Sequence, residues 1–379
     1  MRVHPVVYYL FKTTIRLVLV LVFAGIPLAL LALRTFGIGF GAREALEQAL
    51  SNPAIQVRIG KVMLDPFAGL VAREVAVSET GNTKRLLAEI NRLSISLNIS
   101  ELMNRRIAVD TLSLDKARAS IPLGPPPNPP RLEATDINAD LVVLGDRLRV
   151  SQFEALIEGI RLRVTGEILN PFDFPTPEAG EQKPLINPEL LQKILGNLRD
   201  TSFPDGEPRL VAEFEIDAAQ PESLTIPRLD FTCGKIVHPN LPLESASLQG
   251  SYVKKILRIP VLQIRDATGQ LQSSAEWNSD SGNLQASVIS NLDPAAFLNH
   301  YADGKGALSK LKFPQPPQLN AELRGSLKET PARLSATGGL LIPEIIFENA
   351  RFTDAALDFS WKDGIFYARE IQAQAKRGS

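Results

Sequence analysis

The chain has 379 residues, with 41 Lys plus Arg against 42 Asp plus Glu and a formal net charge of −1. That balance gives no basic surplus for a nucleic-acid footprint, so nucleic acid is not expected among its partners. A single cysteine, Cys233, excludes an intrachain disulfide and a cysteine-built metal site, and His4, His238 and His300 stand in no ligand spacing, so no metal or cofactor is expected.

Residues 1–16 carry Arg2, Lys12 and Arg16. The next stretch, Leu17 to Leu33 (LVLVLVFAGIPLALLAL), has no charge and is bracketed by Arg16 and Arg34. Seventeen residues at about 1.5 Å each give roughly 26 Å, a little under the hydrocarbon thickness of about 30 Å. Thr35 to Phe40 can lengthen the run, so the pattern predicts a transmembrane helix over 17–40, kinked at Pro27. A cleaved signal peptide is the alternative. The cations ahead of the segment favour a cytoplasmic N-terminus, a single pass and an exported C-terminal bulk.

After the membrane segment, Arg43 to Ser51 (REALEQALS) reads as a short amphipathic helix, stopped at Asn52-Pro53. Period-2 alternation then takes over, as expected of strands with one buried face. Val57 and Ile59 share a face, as do Val62 and Leu64, then Val75 and Val77. Leu93, Ile95, Leu97 and Ile99 form a four-position apolar stripe, followed by Ile107 and Val109, then Leu112 and Leu114. Residues 41–123 are therefore an N-terminal β subdomain. The proline-rich connector 124–130 (GPPPNPP) marks its boundary, because proline removes a ladder donor and fixes φ.

Alternation resumes through Ile137, Ala139, Leu141 and Val143 and continues over most of 131–379. Pro171 to Pro184 reads as a loop, Pro188 to Asn197 as a helix with a broad apolar stripe, and Asp293 to Tyr301 as one more short helix. A strand–turn–strand–glycine turn–strand pattern recurs from Leu141, from Leu248 and from Leu357, with marker glycines Gly159, Gly269 and Gly378 about 110 residues apart. The third copy stops at Ser379, so the array reads as cut short in mid-unit.

The predicted fold is mainly β: an N-terminal transmembrane helix, then a long curved antiparallel sheet of repeated meanders with a few short helices. Its apolar face either lies open as a groove or closes on itself as a sandwich core. No P-loop, no G-x-S-x-G elbow, no His-x-x-x-His and no Cys-x-x-Cys occurs, so the chain reads as non-enzymatic. Asp110 and Asp115 read as solvated turn carboxylates, and Tyr252, Trp277 and Trp361 as packing residues in strands.

Ile55 to Glu79 (IQVRIGKVMLDPFAGLVAREVAVSE), Leu87 to Leu97 (LAEINRLSISL) and Ile107 to Leu123 (IAVDTLSLDKARASIPL) resemble the opening of the AsmA-like family. The later phrase ALDFSWKDGIFYAREIQAQA resembles that family's repeated β units. The match is one of hydrophobic and turn positions. It implies an inner-membrane-anchored periplasmic protein whose apolar β groove conducts phospholipid between the inner and outer membranes. Leu93, Ile95, Leu97 and Ile99 are then the expected groove lining. The alternative is a non-catalytic scaffold, or an outer-membrane assembly factor, that binds protein partners at its sheet edges.

Overall fold

The computed structural model describes residues 43–44, 47–48, 51, 55–65, 69–79, 82–97, 109–122, 131–171, 173, 196–238, 241–294, 311–328, 333–347, 350–362 and 364–376. Side chains at 82–85, 97, 121–122, 241 and 375–376 are not among them. The described residues are mainly β and form twenty strands. Among them no helix is long and apolar enough to cross a membrane. The segments 1–16, 17–40 and 124–130 lie outside the described residues. The chain divides into two compact units, residues 1–145 with 149–153, and 146–148 with 154–379.

The first unit is an antiparallel meander of β1 (Ile55–Asp65), β2 (Gly69–Glu79), β3 (Asn82–Leu97), β4 (Val109–Pro122) and β5 (Arg131–Leu144), each paired with the strand before it. The proline-rich 124–130 joins two strands that pair as far as Pro122 and Arg131. The core is a cluster of Val57, Ile59, Val62, Ala72 and Val75, with Leu70, Val77, Ile90 and Leu93 packed against it. These are the alternating apolar positions of the sequence, buried on one side as a pleated strand requires.

The alternation breaks along one line. Ile59 and Val62 are both buried with two exposed residues between them; so are Ala72 and Val75. Ala117 repeats the step behind exposed Asp115 and Lys116, and Ile137 behind Asp136. Three residues at this line have left-handed backbone: Glu74 (φ 55°), Lys116 (φ 51°) and Asp136 (φ 50°). On β1 the line meets Gly60, where an added Cβ would stand 2.9 Å from the Glu74 Cβ. The sheet is creased across its strands, and the crease restores the apolar side chains to the core side after each two-residue polar step.

The outer edge of β1 is closed by side chains. Residues 43, 44, 47 and 48 are helical. From this segment Glu47 Oε1 accepts the Ile59 N–H at 2.7 Å, and Ser51 Oγ accepts the Val57 N–H at 2.9 Å. An edge strand otherwise presents such donors to any passing strand.

The second unit is built on β7 (Ile160–Leu169), β8 (Arg209–Asp217), β9 (Gln220–Cys233), β12 (Ser245–Val253), β13 (Ile256–Arg265), β14 (Gln270–Asn278), β15 (Asn283–Ser290), β17 (Gln318–Ser326), β18 (Arg333–Phe347), β19 (Ala350–Lys362) and β20 (Ile365–Lys376). They pair in that order. β6 (Arg147–Ile157) precedes β7, β10 (Ile236–His238) and β11 (Leu241–Leu243) form a separate ribbon, and β16 (Leu311–Gln315) pairs with the far end of β18.

One junction corrects the expected all-antiparallel sheet: β7 and β8 are parallel, with Leu162 opposite Leu210 and Ile168 opposite Ile216. A parallel pair needs a crossover of a dozen or more residues, and residues 170–208 supply it. Gly166 makes the close approach there, since an added Cβ would sit 2.2 Å from the Phe214 carbonyl oxygen. Within the crossover, 196–199 are helical, and Arg199 Nη2 donates to Glu158 Oε1 at 2.7 Å. The rest of the expected helix 188–197 lies outside the described residues, as does the helix expected at 293–301 beyond Pro294.

The recurring pattern is present as elements. β5, β6 and β7 are joined at Gly145-Asp146 and Glu158-Gly159, and β12, β13 and β14 at Lys254-Lys255 and 266–269. β19 and β20 repeat the first hairpin, and Gly378 lies outside the described residues. Two prolines inside long strands fall at irregularities, as the missing donor requires. Pro227 sits where β9 shifts register between Ile226 and Leu229, and Pro260 where β13 shifts between Ile259 and Leu262.

Candidate functional site: an unroofed apolar face

Strand register aligns one row across the second unit. It runs Leu162, Leu210, Phe231, Leu248, Leu262, Ser273, Val288, Ala321, Gly338, Phe359 and Ala368, each opposite the next. Eleven strands at about 4.8 Å spacing make this row on the order of 50 Å long. It holds no charge, and Ser273 is its only polar side chain. The neighbouring row, one residue along each strand and two across the bulge on β20, is different: Gln263, Gln272, Ile289, Asn320, Gly339, Asp358 and Glu370. The sheet therefore has one apolar face and one mainly polar face, on which Ile289 and Leu341 are the exposed apolar exceptions.

What separates this apolar face from a core is exposure. None of the eleven residues is buried. In the first unit, by contrast, Val62 and Val75 keep 2% and 3% of their surface. Among the described residues, the buried apolar side chains of the second unit are few: Ala155, Pro208, Ala218, Cys233, Leu292 and Pro317. The apolar face continues to the β20 edge, where Phe366 stacks on Phe359 at 5.5 Å between ring centroids and Ile371 is 72% exposed. Bulges keep it in phase: Leu257 and Ile259 stay on the face with Leu262 and Ile264 although the spacing between the two pairs is odd.

The expected lining stripe falls in the first unit. Leu93 is half-buried against the core cluster and lies opposite Ala72 and Leu114. Ile95 is half-buried beside it, opposite Leu70 and Leu112. Leu97 pairs with Val109 through the backbone; its side chain, and all of Ile99, lie outside the described residues. The structure brings Leu93 and Ile95 together and gives the longer apolar row to strands that were read only as alternating. Part of the signal was present in the sequence, because β15 alternates polar and apolar from Asn283 to Val288. Alternation in one strand does not reveal whether anything covers its face.

Polar clusters offer less. A cavity of about 450 Å³ at the crease is lined by Glu74, Glu89, Asn91, Lys116, Arg118 and Asp136, of mixed sign. Asp110 and Asp115 do not sit in turns as expected: both lie inside β4, and Asp115 stands opposite Arg92. Cys233 is a buried strand residue, and burial together with the Asp205 carboxylate pushes its thiol above the ordinary value. Compared with known proteins, the chain matches no family model, no curated protein and no solved structure.

Proposed function

We propose that the second unit binds phospholipid acyl chains along its apolar face, in a membrane-anchored envelope protein of the AsmA-like, lipid-conducting kind. The observation that carries this reading is the uncharged row from Leu162 to Ala368, none of it buried. Each acyl methylene moved from water onto such a surface gains up to about 0.8 kcal/mol, so the methylenes of one acyl chain suffice to hold a lipid. The uncharged segment 17–33 with its flanking arginines supports an inner-membrane anchor, with the β units on the periplasmic side. No side chain performs chemistry in this mechanism; the sheet supplies an apolar path while headgroups stay in water.

Strand addition by a protein partner, including an outer-membrane protein, is the second reading. One observation favours it: β20 pairs only with β19 among the described residues, and Ile365, Phe366, Tyr367 and Ile371 are all more than half exposed. The full chain, purified in a non-lipid detergent and mixed with phosphatidylglycerol, tests the two readings by native mass spectrometry. Several lipids retained per chain, and lost in a Val288→Asp variant that keeps its strand signal, support the groove. A folded chain with no retained lipid rejects it and leaves strand addition at β20.

A further inference from the structure

One end of the strands in the second unit differs from the other. Register brings Tyr252, Leu257, Trp277, Leu284 and Gly325 into a row at the turn end of the apolar face. The Trp277 indole N–H is shielded from solvent and has no hydrogen-bond acceptor. Beside it the Tyr252 hydroxyl lies 3.1 Å from Ser279 Oγ, at the wet margin of the face.

The turns beyond this row are cationic. Lys254, Lys255, Lys328, Arg333 and Lys362 lie at this end, against Asp280, which pairs with Lys255 at 3.1 Å, and against Glu329 and Asp363 in the sequence of the same turns. The opposite ends of β12 to β15 carry Glu244, Asp266 and Asp293 with Arg265, and those of β18 to β20 carry Glu344, Arg351 and Lys376. The cationic stretch starts at β12, because β8 and β9 end here in Asp217 and Glu222.

The Lys254-Lys255 turn is also built against local preference. Both residues have positive φ, 50° and 63°. A two-residue hairpin turn of that kind favours Asn-Gly, because other side chains are strained there. Three other two-residue turns use glycine, Gly145 (φ 64°), Gly159 (φ 82°) and Gly364 (φ 80°), and the Ala218-Ala219 turn between β8 and β9 has no positive φ. Two lysines held in strained backbone point to a use for their charge.

We propose that this rim reads the headgroup: the lysine turns face the phosphate of an anionic phospholipid, and the Trp277 and Tyr252 rings stand level with the ester end of the acyl chains. The inference rests on the lipid reading above and adds an orientation to it. Lipids lie across the strands' apolar face with headgroups at the 254–255 end and chain ends toward 266 and 293. Indole and phenol groups suit this boundary, apolar in body and polar at the tip.

The chain has two tryptophans, so a full-length Trp361→Phe variant makes Trp277 the sole indole reporter. It is titrated with phosphatidylglycerol brominated either near the ester end or near the methyl end of the acyl chains, while native mass spectrometry counts bound lipid in the same samples. The expected result is stronger quenching by the ester-end label. In parallel, Lys254→Asn with Lys255→Gly is expected to raise the melting temperature and yet weaken phosphatidylglycerol binding about tenfold. Bound lipid that quenches equally or more from the methyl end overturns the orientation and leaves the groove standing. So does binding unchanged by the turn variant. An absence of bound lipid overturns both.

Discussion

The Glu47 carboxylate accepts the backbone N–H of Ile59 at 2.7 Å, twelve residues along the chain. With Ser51 on Val57, it satisfies two donors of β1 that face away from β2. Removing the carboxylate leaves a donor at a sheet edge. Glu47→Ala is expected to cost about 1–2 kcal/mol, read as a lower denaturation midpoint. It should also produce concentration-dependent association in sedimentation velocity, which Glu47→Gln, retaining an acceptor oxygen, suppresses.

The crease makes an opposite prediction. Left-handed backbone at Lys116 is strained for a residue with a Cβ by about 1–2 kcal/mol, and glycine relieves it. Lys116→Gly keeps the N–H that Asn138 Oδ1 accepts at 3.1 Å. It is expected to leave stability unchanged or raise it by up to about 1 kcal/mol, after glycine's extra entropy in the unfolded chain is counted. Arg118→Gly, two residues on in the same strand but without positive φ, should destabilise. Urea denaturation of the pair measures the sign.

Charge placed on the two apolar surfaces separates face from core. Val75 is 3% exposed, and Val75→Asp buries an unpaired carboxylate among Val57, Ile59 and Ala72. That substitution is expected to cost about 3 kcal/mol or more and to unfold the first unit. Val288→Asp puts the same group on the unroofed face, where water still reaches it. Its expected cost is roughly 1 kcal/mol, with strand circular dichroism retained. Equal losses at the two positions would mean that the second unit's face is a core.

Cys233 gives a pH-dependent readout. Burial first, and the Asp205 charge second, raise its thiol above the ordinary value. The folded state therefore holds that proton more tightly than the unfolded chain. Its contribution is complete below the thiol's ordinary range and is lost as pH climbs through the raised value. Iodoacetamide should label the native protein slowly at pH 8, accelerate only well above that, and label the urea-unfolded protein quickly. Asp205→Asn should move the native profile toward lower pH.

Much of this architecture is legible in the sequence, and the exceptions have physical causes. Val57, Ile59, Val75 and Val77 fall on one face by alternation alone. Val62 does not: it joins them only because the crease at Gly60 and Glu74 inserts a two-residue step. Positive φ at a glutamate and a lysine leaves no compositional trace, since neither is a turn residue by type. The parallel junction at Leu162 and Leu210 is equally silent, because a parallel strand and an antiparallel one alternate alike. The apolar row was invisible for a third reason. Leu248, Val288 and Phe359 become neighbours through register, and register depends on where Pro227 and Pro260 place their bulges. Leu93 and Ile95 looked like the best stripe because their alternation is cleanest, and clean alternation describes a covered strand as well as an open one.

The parallel seam between β7 and β8 has a kinetic consequence. From β12 to β15 and from β17 to β20, each strand pairs with a partner close by in the chain, and such short loops close in microseconds. β7 and β8 can meet only after residues 170–208 have been drawn into a crossover, and contacts across long sequence separations form slowly. Assembly of the second unit should therefore proceed by rapid zipping of local hairpins, with the Leu162–Leu210 seam closing afterwards. Until it closes, the free flank of β8 is a bare strand edge. A chaperone that shields strand edges during synthesis would have its longest-lived client there.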